Sequence, residues 1–137
     1  MPININGNIV NSQIASTLNY KSIVTRGLSI HFDASAKDSY PETGTSWFDL
    51  VTSTTGTLQN GPTYSSDGNG SISFDGTNDK ISVPDNNALD LTSNYTLEAW
   101  IYPKAFTWLG GIISKYNTNS SNGYMLRLTS SGNFRGL

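Results

Sequence analysis

Cysteine is absent from all 137 residues, which excludes disulfides, thiolate metal ligands and a thiol nucleophile together. A cystine-stapled miniprotein is therefore ruled out, and compartment is left open. Charge is scarce as well: Asp, Glu, Lys and Arg make up 13% of the chain, about half the usual share. The eight Lys and Arg are scattered and the formal net charge is −2, so binding to nucleic acid by counterion release is disfavoured. No run approaches the roughly 20 apolar residues of a membrane span, so no membrane insertion is expected. The start, Met1-Pro2-Ile3-Asn4-Ile5-Asn6-Gly7, has no basic stretch leading into an apolar one and is not expected to act as a signal peptide.

What the chain has instead is neutral polarity: 19 Ser, 15 Thr and 15 Asn, punctuated by 13 Gly and five Pro. These residues prefer caps, turns and strands to helix interiors, so long helices are opposed. Fifteen aromatics, three of them Trp, can seed a core, which argues against disorder.

Two regions separate. Residues 1–25 alternate Ile with Asn and then place Ile14 and Leu18 among Ser, Thr and Asn. Their few apolar side chains cannot bury one another, so this stretch is expected to be an extended arm that attaches to another surface by strand addition. Residues 26–137 form the expected domain. From Leu28 the pattern has period two: Leu28, Ile30 and Phe32; Ile72 and Phe74; Ile81 and Val83; Leu97, Ala99 and Ile101; Tyr124, Leu126 and Leu128. Strict alternation over short runs predicts half-buried antiparallel strands. Asn60-Gly61-Pro62, Asp67-Gly68-Asn69-Gly70, Asp75-Gly76, Ser121-Asn122-Gly123 and Ser131-Gly132-Asn133 supply turns between them. The fold expected is an all-β antiparallel sandwich or barrel. Only Ser46-Trp47-Phe48-Asp49-Leu50 reads as a helical turn, with Ser46 as its N-cap. Leu28, Ile30, Phe32, Ile72, Phe74, Leu97, Ala99, Ile101, Leu126 and Leu128 are expected to be buried, so that Phe74→Ala would cost about 3–5 kcal/mol. Trp100 is expected to pack rather than to project.

The blocks Gly27-Leu28-Ser29-Ile30-His31-Phe32-Asp33-Ala34, Gly56-Thr57-Leu58-Gln59-Asn60-Gly61-Pro62 and Ser73-Phe74-Asp75-Gly76-Thr77-Asn78-Asp79 resemble laminin-G-like, concanavalin A-like jelly rolls. So does Tyr95-Thr96-Leu97-Glu98-Ala99-Trp100-Ile101-Tyr102-Pro103. The subtype resembled is that of bacteriophage virion proteins, and the opening Pro2-Ile3-Asn4-Ile5-Asn6-Gly7 is similar to the starts of phage tail and fibre proteins. The resemblance implies a virion structural protein, a capsid decoration, head fibre or tail fibre, whose partners are other virion proteins, symmetry-related copies, and host or environmental glycans. The alternative is a bacterial secreted or cell-surface carbohydrate-binding module. Such jelly rolls run longer than this chain, so either further polypeptide after Leu137 or neighbouring copies are expected to complete the sandwich.

No enzyme is expected. Glucanases of this fold resemble one another in a strand bearing two Glu and an Asp at alternating positions, whereas this chain has only Glu42 and Glu98, with no carboxylate two or four residues from Glu98. His31, the sole histidine, could borrow only Asp33 from its own strand, a poor geometry for a catalytic relay. Glycan recognition is expected from loops, with Trp108, Tyr116, Asn117, Asn119 and Asn122 clustered around one hairpin. Aromatic rings beside amides suit the C–H faces and hydroxyls of a pyranose. Calcium is the one cofactor the residues could hold, at Asp75, Asn78 and Asp79, with Asp85, Asn86 and Asn87 as further oxygen donors. The same residues serve equally as Asx turns that bond their own backbone.

Overall fold

The computed structural model describes residues 23–106, 110–117 and 122–136. Within them the regular structure is strand, apart from two three-residue 3-10 turns at Asp67–Asn69 and Asn87–Leu89. The strands are β1 (Ser46–Phe48), β2 (Thr55–Gln59), β3 (Thr63–Ser65), β4 (Ser71–Ser73), β5 (Lys80–Ser82), β6 (Gly110–Asn117), β7 (Asn122–Leu128) and β8 (Phe134–Gly136). They form three antiparallel sheets, in the orders β1-β2-β5, β3-β4 and β6-β7-β8. Among the described residues no helix is long and apolar enough to cross a membrane. The expected all-β antiparallel class is the one observed.

The turn chemistry acts where the sequence places it. Asn60 and Gly61 take φ of 72° and 116°, which swings the chain from β2 into β3. Gly70, at φ 123°, also passes so close to the loop before β1 that a Cβ there would lie 2.7 Å from the Ala34 carbonyl oxygen. Only glycine satisfies both conditions.

In β2, Gly56 and Leu58 point inward and Thr57 outward, the alternation of a half-buried strand. Gly56 lets the neighbouring side chains close over it: a Cβ would meet Ile81 Cγ2 at 3.0 Å and the Phe32 ring at 3.6 Å. Beside it, Phe32, Trp47, Tyr40 and Tyr64 form a chain of ring contacts with centroids 5.6, 6.1 and 5.7 Å apart. Offset and edge-to-face pairs of this kind add about 0.5–1.5 kcal/mol each beyond the area they bury.

Polar groups hold this cluster. The Ser39 hydroxyl, fully buried, donates to the Phe48 carbonyl (2.6 Å) and accepts from Trp47 Nε1 and the Asp33 amide, both at 3.0 Å. The buried Asp49 carboxylate accepts from the amides of His31 (2.6 Å), Val51 (3.2 Å) and Thr52 (2.6 Å) and from the Thr52 hydroxyl. Burial alone would raise the Asp49 pKa; the bonds from His31 and Thr52 outweigh it, and the net shift is downward.

Four expectations are corrected. Ser46–Phe48 is a strand, not a helical turn, because β2 offers it a ladder partner over Thr55–Thr57. Leu28–Asp33 and Leu97–Tyr102 are extended but in no ladder; the first is held by side chains and by the Leu50 amide donating to the His31 carbonyl (2.9 Å). The buried apolar residues are Tyr40, Leu58 and Tyr124, while Leu28, Ile30, Phe32, Ile72, Leu97, Leu126 and Leu128 are half-buried and Phe74, Ala99 and Ile101 exposed. Trp100 projects almost completely into solvent, 96% exposed, on a segment that joins no ladder. Most of the attachment arm, residues 1–22, lies outside the described residues.

Candidate functional site

The two longest strands, β6 and β7, build the most developed site. They pair from Gly110↔Leu128 to Asn117↔Asn122, with one irregularity between Gly111 and Ile113. The ladder brings Asn117 and Asn122 directly opposite each other at its open end. Gly123, at φ 111°, faces Tyr116, and a Cβ there would collide with the Lys115 carbonyl at 1.9 Å, so the close approach requires glycine.

Beyond this end lies a cleft of about 660 Å³ lined on one side by Ser114–Asn117 and Asn122–Tyr124 and on the other by Leu89–Thr92. Its size falls within the usual range of small-molecule sites. The far wall is pinned in place. Lys115 Nζ bridges Asp85 (2.6 Å) and Asp90 (2.5 Å), and the hydrogen bonds it donates to both carboxylates raise the lysine pKa. The Tyr124 hydroxyl donates to the Leu89 carbonyl (3.2 Å), and its ring meets that of Tyr95 with centroids 5.4 Å apart. Burial pushes the Tyr124 pKa up. Asn86 caps the Asn87–Leu89 turn by accepting from the Ala88 amide (2.9 Å), and its amide donates to Thr54 Oγ1 (3.3 Å). A bridge of side-chain bonds therefore ties the cleft wall to both β2's approach and β6.

Of the five residues expected to contact a glycan, the structure brings three together at the cleft: Tyr116 half-buried, Asn117 and Asn122 exposed. Trp108 and Asn119 lie outside the described residues. The sequence reading missed the opposite wall. Leu89, Leu91 and Thr92 are some 25 residues away along the chain, and only the lysine on an otherwise alternating strand hinted at an acidic partner.

The calcium candidates are arranged differently. Asp75 Oδ1 accepts from the Thr77 amide (2.8 Å), Asp79 Oδ2 accepts from the Asp75 amide (2.9 Å), and the Asn78 carbonyl accepts from the Asn60 side chain (2.7 Å). The bond from the Thr77 amide is the main cause of a lowered Asp75 pKa. This is Asx-turn chemistry closing a loop on itself. One carboxylate oxygen, Asp79 Oδ1, is buried without a partner and is what a cation would find unengaged. Calcium needs six to eight oxygens, and no group of three or more His, Cys, Asp or Glu converges among the described residues. Asp85 and Asn86, two of the three further oxygen donors, are committed to Lys115 and to the turn cap.

His31 contributes its backbone, not its ring, to the Asp49 network. Asp33 Oδ1 accepts from the Ser35 amide (2.8 Å) and hydroxyl (2.7 Å). Desolvation would raise the Asp33 pKa, but these bonds prevail and lower it.

Comparison with known proteins adds one match. Residues 75–136 fit the family model of the concanavalin A-like lectin/glucanases superfamily, which spans β5 to β8 and the whole of the cleft. No curated protein matches the chain, and no solved structure does.

Proposed function

We propose that this protein is a non-enzymatic glycan-recognition module, and that it serves as a structural protein of a bacteriophage virion, anchored by residues 1–25. The observation that carries the recognition half is the cleft at the end of the β6–β7 hairpin, where Tyr116, Asn117 and Asn122 meet the Leu89–Thr92 wall. A ring edge, two amide side chains and a hydroxyl can grip sugar C–H faces and hydroxyl groups without any charged chemistry. The family segment that covers the cleft is one in which both lectins and glucanases occur. The virion half rests on the opening sequence and on the blocks that resemble phage jelly rolls.

Against hydrolysis stands the state of the nearest paired carboxylates. Asp85 and Asp90 both pair with one ammonium, Lys115 Nζ, whereas a retaining glycosidase needs two carboxyls about 5–5.5 Å apart flanking the scissile bond.

The test is binding to an array of neutral glycans by the wild type and by Tyr116→Ala/Asn122→Ala. Loss of the bound glycans in the double variant is expected, with circular dichroism unchanged. Unaltered binding would move the site elsewhere, and release of reducing sugar from a β-glucan would overturn the non-enzymatic reading. For the virion half, the protein should appear among the proteins of purified particles, and deletion of residues 2–25 should abolish its incorporation.

A further inference from the structure

The chain has three arginines, and two of them face each other. Arg127 on β7 is the register partner of Arg135 on β8, so both side chains leave the sheet on the same face. Directly opposed like charges destabilise a sheet pair unless something neutralises them. Among the described residues no carboxylate pairs with either arginine: the ion pairs of Asp and Glu there go to Lys37 and Lys115. Arg127 Nε is, besides, buried with no hydrogen-bond partner. A buried N–H donor left unpaired is rare in folded proteins and asks for an acceptor.

The surroundings leave room for one. On the other side of Arg127, its partner across the β6–β7 ladder is Gly111, and a Cβ built there would meet nothing within 4 Å. Arg127 is thus flanked by an open notch over Gly111 on one side and by the exposed Arg135 on the other. Two guanidinium forks on adjacent strands, one with an unused donor, match the acceptor geometry of an oxyanion.

We propose that Arg127 and Arg135 form an oxyanion site whose ligand is the carboxylate or sulfate group of an acidic polysaccharide. This rests on the glycan-recognition reading but uses a different place, several residues along β7 from the cleft. Two arginines on a chain of net charge −2 suit a sugar polymer that carries isolated anionic groups better than the dense phosphates of a nucleic acid.

Binding of the full chain to polygalacturonate, dextran sulfate and uncharged dextran is measured with and without inorganic sulfate. Wild type should bind one or both anionic polymers and not dextran, more weakly as salt rises. Arg127→Gln and Arg135→Gln should each weaken binding about tenfold. Lys104→Gln, which removes one exposed positive charge elsewhere, should leave it nearly unchanged. Preference for polygalacturonate identifies the carboxylate, preference for dextran sulfate the sulfate ester, and competition by inorganic sulfate at similar concentrations of anion supports the same two-arginine site. If Arg127→Gln fails to fold, Arg135→Gln on the exposed strand carries the test alone. The proposal is overturned if wild type binds neither polymer, if Arg135→Gln binds like wild type, or if Lys104→Gln loses as much as the arginine variants. None of these outcomes bears on neutral-glycan binding at the cleft, so the two readings fail separately.

Discussion

The region around β1, β2 and β5 and the region around β6, β7 and β8 are both antiparallel sheet, yet they are held by different means. In the first, the strands are three to five residues long, and the chain between them is fastened by Ser39 and Asp49, two buried polar side chains with every bond satisfied. In the second, strands of eight and seven residues form a long backbone ladder, and side chains serve mainly to anchor the cleft wall. The contrast teaches that short strands survive where side chains replace the missing ladder bonds. Long strands can instead dedicate one end to an open cleft.

Removing the Asp49 carboxylate should break the first region most severely. Asp49→Ala leaves three amides and one hydroxyl without their acceptor, and we expect a loss of about 3 kcal/mol or more in denaturant unfolding. Amide exchange should show opening of Leu28–Thr55 before the β6–β7 ladder. An equal loss of protection in both would mean that the regions are not independently held.

Gly123→Ala attacks the second region. The added Cβ meets the Lys115 carbonyl, and the φ of 111° is unfavourable for alanine, so we expect a cost of about 2 kcal/mol by thermal melting. Ligand binding at the cleft should fall with it, while protection around Asp49 persists.

Acid should sharpen the difference further. The Asp33 and Asp49 pKa values are lowered in the folded state, so the unfolded chain takes up protons first as pH falls. Their stabilisation is complete above the ordinary aspartate value of 3.8 and is lost as pH drops through the lowered folded values. Urea midpoints between pH 5 and pH 2 should therefore decline, and the decline should be shallower in Asp49→Asn. The smallest effect is expected at the exposed ring of Trp100: Trp100→Ala should change stability by less than about 0.5 kcal/mol.

Turns and alternation were legible from the residues alone. Asn60-Gly61, Gly68-Asn69-Gly70 and Gly132 take the positive φ that their chemistry anticipates, and the run Tyr124–Leu128 with its partner near Phe134 forms β7 and β8 as its period predicts. Period two also marked Leu28–Asp33 and Leu97–Tyr102, which are extended without being paired. The pattern reports an extended backbone with a two-sided environment, not the presence of a neighbour. At the candidate site, the hairpin residues Tyr116, Asn117 and Asn122 were legible because turn signals and an aromatic lie close together along the chain. The Leu89–Thr92 wall was not, because its place depends on contacts across some 25 residues.

By itself, then, the sequence determined the strand class, the turn positions and the amide-rich hairpin, because these depend on φ preferences and side-chain alternation within a few residues. Tertiary structure decided the rest. It made Ser39 and Asp49 the hubs of one sheet, turned Trp100 outward, spent Asp85 and Asp90 on Lys115, and set Arg127 against Arg135. Each of these follows from which strands lie side by side. Pairing is fixed by long-range register and by the cost of burying unpartnered polar groups, neither of which a local stretch of residues encodes.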